Sequence, residues 1–530
     1  MSFLSRTRGT AAIVAASILA GTTASASPLV NGGSGAGEGA VTEGSAPAAD
    51  DDGQHEGHAP PKMDGRAKLV ESAEPPFRDW KRPAAPDQAH WLESQAETYA
   101  KQKLSTQRPL LELGRRMYDT TPDEGVREGI NFLGEDNLLF PHLYVYGDWR
   151  TAAGYSDLGS EFTSRLATRL NLDIDLGLTA TERIHALIRP LDNNVEFTQL
   201  GFGGLDDGES QLELDADLET LFFEGDLGAI FGGPGAKSIP IAAGKVPLLF
   251  QNGVWVEDAF TGFAVSFPAK NSKRFDVANY DWTVFGAFDD VTTGADGDPF
   301  GLAGEDTNLL GVAGFLEATD GYWEVGYAYA DIEDGLSYHN VTASFSQRFG
   351  AFLSNSIRVI GNFGQDPDPG FAKTADGVLL LVENSFITEN PYSVLPYFNF
   401  FSGFGTPQSL ARAADAGGVL KNTGLNFEAD AIAAFPSLNA TGHDAVGAAL
   451  GIEFLTDLVK DQLVLEVAAQ HPHGDDSPLA GDEYGVGVRY QRPIEVLGRR
   501  AAVLRFDAMY GSRQENDDIS GIRFEFRWKF

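Results

Sequence analysis

The chain has 530 residues, 42% of them hydrophobic, and its 39 basic and 76 acidic residues give a formal net charge of −37. The absence of cysteine excludes disulfides, thiolate metal sites, c-type haem and a cysteine nucleophile. The acidic excess argues against nucleic-acid binding, because phosphate groups would be repelled. The hydrophobic content is too high for a disordered chain, and 61 glycines and 36 phenylalanines against 4 methionines favour strands over a helix bundle.

The N-terminus has the pattern of an export signal. Arg6 and Arg8 precede the apolar run 11–20, and small residues at 24–26 suit cleavage before Ser27. Residues 1–26 are therefore predicted to be a signal peptide. No later stretch approaches the ~18 to 20 apolar residues of a membrane-spanning helix, so an exported chain with this sequence is expected to be either soluble or a β-barrel.

Two segments of different composition follow the signal. Residues 27–64 are Gly, Ala, Ser, Pro and Asp in low-complexity order, which predicts a disordered linker. Residues 65–140 contain a stretch rich in helix formers, 87–118, which predicts one or two short helices interrupted by Pro109. We expect 65–140 to be a short, partly helical periplasmic extension.

Beyond Pro141 the apolar residues recur with a period of two. In 166–178, leucine, threonine and isoleucine alternate with polar residues, and the last strand places Ile522, Phe524 and Phe526 against Arg523, Glu525 and Arg527. Soluble sandwiches also alternate, but usually over about 5 or 6 residues, whereas runs of about 9 to 13 residues can cross a bilayer at a tilt. The length of the runs therefore predicts an all-β transmembrane antiparallel up-and-down barrel over 141–530.

The pattern predicts about 18 strands, with 16 possible and an additional strand conceivable at 426–435. In such barrels short periplasmic turns alternate with longer outer loops. The predicted odd-numbered connections include the long segments 192–212, 291–307, 402–443 and 471–482, whereas the even-numbered ones are mostly short. The segment 402–443 has a helix-like centre at 408–420 and is expected to be either a pore constriction or a binding surface.

The charges sort in the same way, which supports the topology independently. The even-numbered connections carry the basic residues Lys270, Lys273, Arg274, Lys460, Arg492, Arg499 and Arg500. The odd-numbered ones carry acidic residues, among them Asp298, Asp334, Asp475, Asp476, Asp517 and Asp518. The acidic connections are expected to face outward and Phe530 to face the periplasm.

Together these features resemble the bacterial outer-membrane porins and substrate channels. The resemblance rests on the export signal, the lack of cysteine, the even set of long strands and the final strand with Phe526, Trp528 and Phe530 at alternate places. In that group the outer-membrane assembly machinery reads such a C-terminal strand, so the resemblance implies that these aromatic residues are an assembly signal. The segment 239–250, with GKVPLLF, is also similar to strands of alginate-export and carbohydrate porins, and the extension before the barrel is similar to periplasmic extensions of some sugar porins.

If the barrel is correct, polar faces line a lumen wide enough for water. The basic residues expected there form a strip where the first three strands meet the last three: Arg169, Arg183, Arg189, Arg489, Arg505, Arg523 and Arg527. The acidic residues expected nearby or opposite are Asp173, Asp175, Glu213, Asp215, Asp217, Glu219, Asp507 and Glu525. Such opposed charges could select solutes by sign, or they could pair across neighbouring strands and fix register.

The predicted function is a porin or substrate-selective channel of a Gram-negative outer membrane that passes small hydrophilic solutes by diffusion, with no cofactor, no metal site and no catalysis. Its expected partners are the lipid bilayer, lipopolysaccharide, the barrel assembly machinery and the solute, and a homo-oligomer is possible. An adhesion or scaffold barrel, or a sheath around a partner protein, is the alternative. An outer-membrane enzyme is disfavoured because no GxSxG elbow occurs. Five tryptophans, Trp149, Trp255, Trp282, Trp323 and Trp528, are expected to anchor the barrel at the membrane interfaces.

Overall fold

The computed structural model describes residues 109–530 with the exception of 115–129, 133, 135–136, 194–195, 216–217, 233–236, 297–306, 351, 389–393, 457–460, 475–476 and 497–498. The predicted signal peptide and linker, and most of the predicted extension, lie outside the described residues. Within the described ranges, no helix is long and apolar enough to cross a membrane. The described strands form a sheet that closes on itself and is antiparallel except for one two-residue parallel pairing, between 256–257 and 411–412.

Twenty-three strands occur in the described residues. Their bounds are β1 Leu111–Leu113, β2 His142–Asp157, β3 Phe162–Gly177, β4 Arg183–Ile188, β5 Asp192–Asn193, β6 Glu196–Gly204, β7 Ser210–Gln211, β8 Leu218–Asp226, β9 Pro240–Phe250, β10 Val256–Ser272, β11 Val277–Asp289, β12 Asn308–Ala318, β13 Gly321–Asp331, β14 Tyr338–Phe349, β15 Leu353–Phe363, β16 Asp376–Phe386, β17 Val394–Thr406, β18 Ala411–Arg412, β19 Ala445–Thr456, β20 Asp461–Pro472, β21 Glu483–Val496, β22 Arg499–Arg513 and β23 Ile519–Lys529. One short helix, α1 Leu227–Phe231, connects β8 to β9.

The barrel wall has eighteen strands within the described residues. β4 and β6 together make the third wall strand, since β3 pairs with β4 through 172–177 and with β6 through 163–168. β7 and β8 likewise make the fourth, while β1, β5 and β18 lie outside the count. Each wall strand pairs with its neighbours in chain order, and β2 pairs with β23 to close the barrel. The predicted number of strands is confirmed.

The third and fourth wall strands are interrupted, which the periodicity did not predict. Pro190 lies two residues after the end of β4, and proline cannot donate a ladder hydrogen bond, so the chain leaves the wall there. The predicted strand over 183–191 therefore ends at Ile188, and the predicted strand over 213–227 begins only at Leu218. Glu213 and Asp215 consequently lie in an irregular segment and not on a strand.

Burial alternates along the strands as a barrel in a membrane requires. In β23, Arg523 and Glu525 are buried, whereas Ile522 and Phe524 are about half exposed at 53% and 50%. In β20, Glu466 is buried and Leu465 is exposed. The charged face thus points into the barrel, and the apolar face points outward, where lipid would cover it.

Two segments fold into the barrel interior. The connection between β9 and β10 carries Trp255, which is 1% exposed and donates a hydrogen bond from Nε1 to Oδ1 of Asn340 on β14 at 3.0 Å. Trp255 is therefore an interior residue, and its predicted role as a membrane anchor is wrong. The second segment, 407–444 between β17 and β19, is called here the inner loop; its residues Leu420, Phe427 and Ile432 are buried.

The inner loop differs from its predicted structure. The predicted helix-like centre at 408–420 contains the two-residue strand β18 and one 3-10 turn, Ala414–Ala416. Gly417 follows this turn with a φ of 76°, a left-handed conformation that ends the turn. The additional strand considered for 426–435 is absent: a 3-10 turn covers Leu425–Phe427, and a single bridge joins Asp430 to Phe435.

A third difference lies before the barrel. The helix expected over 87–118 is not present at Leu111–Leu113, which form β1 and pair with residues 143–145 of β2. Phe530 is the last residue of the chain, and its backbone N–H and C=O bond to Gly147 at 3.0 and 2.9 Å. Gly147 is two residues along β2 from the segment 143–145 that pairs with β1. β1 therefore continues the sheet beyond the end of β23, and this pairing outweighs the helix propensity of the leucines.

Candidate functional site: the charged inner wall

Three arginines of the predicted strip converge on one carboxylate. Asp507 on β22 is fully buried and accepts hydrogen bonds from Arg489 Nε at 2.6 Å, Arg505 Nε at 2.8 Å and Arg523 Nη2 at 2.6 Å. The β21–β22 and β22–β23 registers place Arg489 and Arg523 directly opposite Asp507, so the strand pairing itself builds the contact. Charge-assisted bonds of this kind hold guanidinium planes in fixed orientations.

Two acidic residues of the inner loop complete this group. Glu428 binds Arg489 Nη1 at 2.9 Å and Arg505 Nη2 at 3.0 Å. Asp430 binds Arg150 Nη2 at 2.8 Å and also pairs with Arg523. Arg150 in turn binds Glu525 at 2.6 Å. We call the group the seam cluster, and its members are Arg150, Arg489, Arg505, Arg523, Asp507, Glu525, Glu428 and Asp430.

A smaller group surrounds Asp415, another inner-loop residue. Its Oδ2 lies 3.1 Å from Arg169 Nη1 and 3.0 Å from Arg189 Nη1. Arg169 also contacts Asp192 at 3.0 Å, and Arg189 contacts Glu219 at 3.5 Å. Arg189 reaches this group because the chain leaves the wall after β4.

The remaining strip residues form separate pairs along the strands. Arg183 binds Asp175 at 3.2 Å and Glu224 at 2.5 Å, and Arg527 binds Asp148 at 2.7 Å. Asp173 lies 3.4 Å from His185 Nε2. The strip is thus brought together in part, with two of its seven arginines outside the two groups.

Some predicted acidic residues do not join these groups. Glu213 accepts a hydrogen bond from Gln211 in the interrupted fourth wall strand. The backbone N–H of Asp215 donates to Pro190 O at 3.4 Å. Asp217 lies outside the described residues.

Neighbouring arginines favour the anionic form of two inner-loop carboxylates, Glu428 and Asp415. Burial alone would raise the pKa of Glu428, but the charges of Arg489 and Arg505 outweigh it and hold the pKa well below the usual range. Burial likewise opposes ionisation of Asp415, and Arg189 and Arg169 lower its pKa. Each carboxylate therefore brings a full negative charge to the arginines.

Further contacts hold the inner loop in place. Glu466 on β20 accepts hydrogen bonds from the backbone N–H groups of Leu425 at 2.7 Å and Asn426 at 2.8 Å, and from the Asn426 side chain at 2.8 Å. At the other side of the barrel, Ser409 Oγ donates to Val254 O at 2.7 Å, and the Lys421 ammonium pairs with Glu257. The inner loop is therefore fixed both to β20 and to the region of β9 and β10.

Glycines on the wall make room for the loop. A Cβ at Gly154 of β2 would lie 3.0 Å from the Cβ of Ala433, and one at Gly521 of β23 would lie 2.4 Å from Cδ of Pro436. The inner loop therefore packs directly against the backbone of the two closing strands.

Sequence reasoning missed several of these residues. Arg150 is paired in register with both Arg169 and Arg527, so the alternation in β2 could have revealed it. Asp415, Glu428 and Asp430 carried no such signal, because Asp430 lies 280 residues from Arg150 and 93 from Arg523. Spacing in an irregular loop does not tell which wall residues it meets.

The fold is also found in solved structures. OccK2 (OpdF) of Pseudomonas aeruginosa aligns with a TM-score of 0.51 and 13% identity over 76% of this chain and 99% of OccK2, and its complex with glucuronate aligns with a TM-score of 0.50, 13% identity and the same coverage. The outer membrane protein OprD of the same organism aligns with a TM-score of 0.47 and 9% identity over 73% of this chain and 93% of OprD. No family model matches the sequence. No curated protein matches it either. The chain has the fold of the OccK2 barrel.

Proposed function

We propose that the chain is a channel of the Gram-negative outer membrane that passes small hydrophilic solutes by passive diffusion. The observation that carries this proposal is the closed wall of eighteen described strands with an apolar outer face and a charged inner face. An inner face built from charged side chains is suited to water and polar solutes, and the outer face is suited to lipid. The likeness of the fold to the OccK2 barrel supports the same function.

The solute class follows from the inner wall. The arginines hold carboxylates in two-point contacts, as the Glu428 distances of 2.9 and 3.0 Å illustrate. OccK2 has been solved in complex with glucuronate, a sugar with a carboxylate. We propose that this chain favours small solutes with a carboxylate group, and that the predicted pore-lining residues of the strip guide them.

Conductance in planar bilayers tests the channel itself. The purified barrel should produce stepwise currents in potassium chloride, and the same protein heated beforehand until its gel migration changes should produce none. A correctly assembled barrel that never conducts would contradict the channel and would favour an adhesion or scaffold role, for which the outer connections would be the binding surface.

Selectivity tests the role of the strip. Replacement of Arg505 and Arg523 by alanine removes two positive charges from the inner wall, so cation preference should rise and current block by glucuronate should weaken. The measurement is the reversal potential across a salt gradient, with Lys373→Ala as a control that removes one positive charge at an exposed site, because Lys373 is paired only with Asp376 in the described structure. Unchanged permeability ratios in an assembled double variant would mean that these arginines only pair with carboxylates on neighbouring strands and fix the register of those strands.

Assembly is proposed to involve the aromatic C-terminal strand. Phe526, Trp528 and Phe530 would be read by the barrel assembly machinery, and the acidic outer connections would meet lipopolysaccharide through divalent cations. A homo-oligomer stays a prediction.

A further inference from the structure

The charges of the seam cluster balance only when the inner loop is present. The wall supplies the four arginines Arg150, Arg489, Arg505 and Arg523 and the two carboxylates Asp507 and Glu525, an excess of two positive charges. The loop adds the two carboxylates Glu428 and Asp430, which bring the cluster to neutrality. The wall by itself is therefore an anion-binding surface.

Each loop carboxylate occupies a position that a free carboxylate would also fit. Glu428 has one oxygen on Arg489 and the other on Arg505, at 2.9 and 3.0 Å. Asp430 is held between Arg150 and Arg523. Two guanidinium groups that converge on one carboxylate form a common carboxylate site in proteins.

The site also retains an unused donor. Arg489 Nη2 is buried and has no hydrogen-bond partner among the described residues. A ligand with more acceptor atoms than the single Glu428 side chain could use this donor, since a buried donor without a partner costs free energy.

We propose that Glu428 and Asp430 are tethered competitors: they occupy two carboxylate sites of the inner wall, and a solute carboxylate binds there only when it displaces the inner loop at these residues. This inference deepens the proposed function and depends on it for its role in transport. A tethered group competes at a high effective concentration, so the apparent affinity for the free solute is lowered by the fraction of time the sites are open.

The test is the double variant Glu428→Gln/Asp430→Asn, which removes both charges and nearly preserves the shapes. Glucuronate is the probe, with glucose as its uncharged counterpart. Binding measured by calorimetry on the detergent-solubilised barrel should become about tenfold tighter for glucuronate, because the competition is removed, and should stay unchanged for glucose. In bilayers the chloride-to-potassium permeability ratio should rise about threefold, as the wall arginines lose their counter-ions.

The charge-preserving swap Glu428→Asp/Asp430→Glu is the matched control. It keeps both carboxylates on the loop, so glucuronate affinity and the permeability ratio should stay near their wild-type values. Equal glucuronate affinity in the wild type and the double variant would overturn the inference. Because calorimetry needs no current, a barrel that binds glucuronate as expected but does not conduct would contradict only the proposed function.

A reversible disulfide gives a second test in which no residue of the seam cluster is substituted. The chain has no cysteine, so Gly154→Cys/Ala433→Cys introduces a unique pair. An ideal Cβ at Gly154 lies 2.6 Å from the backbone O and 3.0 Å from the Cβ of Ala433, and disulfides require about 3.5 to 4.5 Å between Cβ atoms, so the loop backbone at Ala433 must move away from β2 in this variant, and the comparison is made between its own oxidised and reduced forms. Oxidation should weaken glucuronate binding by about tenfold and reduction should restore it, since a locked loop cannot leave the sites. If the oxidised and reduced forms bind glucuronate equally, displacement of the loop is not required.

Discussion

Glu466 on β20 accepts two hydrogen bonds from Asn426 of the inner loop, one from its backbone N–H and one from its side-chain amide, both at 2.8 Å. Glu466 is 2% exposed, and no ion pair to it is present in the described structure. Its carboxylate therefore serves as a backbone anchor and not as a counter-charge. This distinguishes it from Glu428 and Asp430, which the loop presents to the wall arginines.

Replacement of Glu466 by alanine should loosen the inner loop. The change leaves the buried N–H groups of Leu425 and Asn426 without their acceptor, which costs about 1 to 3 kcal/mol per group. We expect larger and noisier single-channel currents and faster cleavage of the loop by an added protease. Glu453→Ala is the control, since Glu453 lies on the neighbouring β19 and contacts Gln462; equal noise in the two variants would contradict the anchor role.

Asp507→Asn should destabilise the barrel. Asp507 is fully buried and bonds three arginines, and the loss of one partner in a buried ionic group typically costs about 3 to 5 kcal/mol. The measurement is the temperature at which the folded barrel changes its migration on a gel. Asp518→Asn removes the same charge from an exposed connection and should leave that temperature unchanged. A similar temperature for Asp507→Asn and the wild type would mean that the arginines are held by the loop carboxylates alone.

Phe530 should be required for closure. Its backbone N–H and C=O bond to Gly147 of β2, so they extend the β2–β23 ladder beyond Lys529. Its ring lies 5.5 Å from that of Trp528 between centroids. Deletion of Phe530 should lower the amount of heat-modifiable barrel in the outer membrane, whereas Phe530→Tyr, which keeps both bonds and an aromatic ring, should not. Normal barrel levels after the deletion would count against an outer-membrane assembly signal.

The orientation of the barrel can be tested with single cysteines. Asp517 lies between β22 and β23, and Lys273 lies between β10 and β11, at opposite ends of the barrel. Asp517→Cys should react with a membrane-impermeant thiol reagent on intact cells, and Lys273→Cys should react only after lysis. Both side chains are exposed, so each should be labelled in lysed cells. The reverse pattern on intact cells would invert the predicted topology.

The strands could be predicted because the alternation that identifies each strand lies within that strand's own sequence. A period of two over ten or more residues is visible in β3 and β23 without knowledge of their neighbours, and it also places Arg169 and Arg523 on the inner face. The interruption after β4 was less evident, although Pro190 marks it. The partners of these arginines could not be predicted, because Asp415, Glu428 and Asp430 reach the wall through an irregular segment whose path depends on packing around Phe427 and Ile432.

The contact of Asp430 with both Arg150 and Arg523 also bears on how the barrel closes. The two closing strands are the most distant pair in the sequence, since Arg150 and Glu525 are 375 residues apart, and closure of so long a segment carries the largest entropic cost of any strand pair. Asp430 has its two partners on opposite sides of that junction, so both of its ion pairs can exist only after β2 and β23 have met. Asp430 is separated by 93 residues from Arg523 and by 280 residues from Arg150, so the contact with Arg523 has the lower entropic cost of loop closure. In the folded barrel the inner loop thus places a single carboxylate against both closing strands, where its two ion pairs join β2 to β23 through side chains as well as through the backbone ladder.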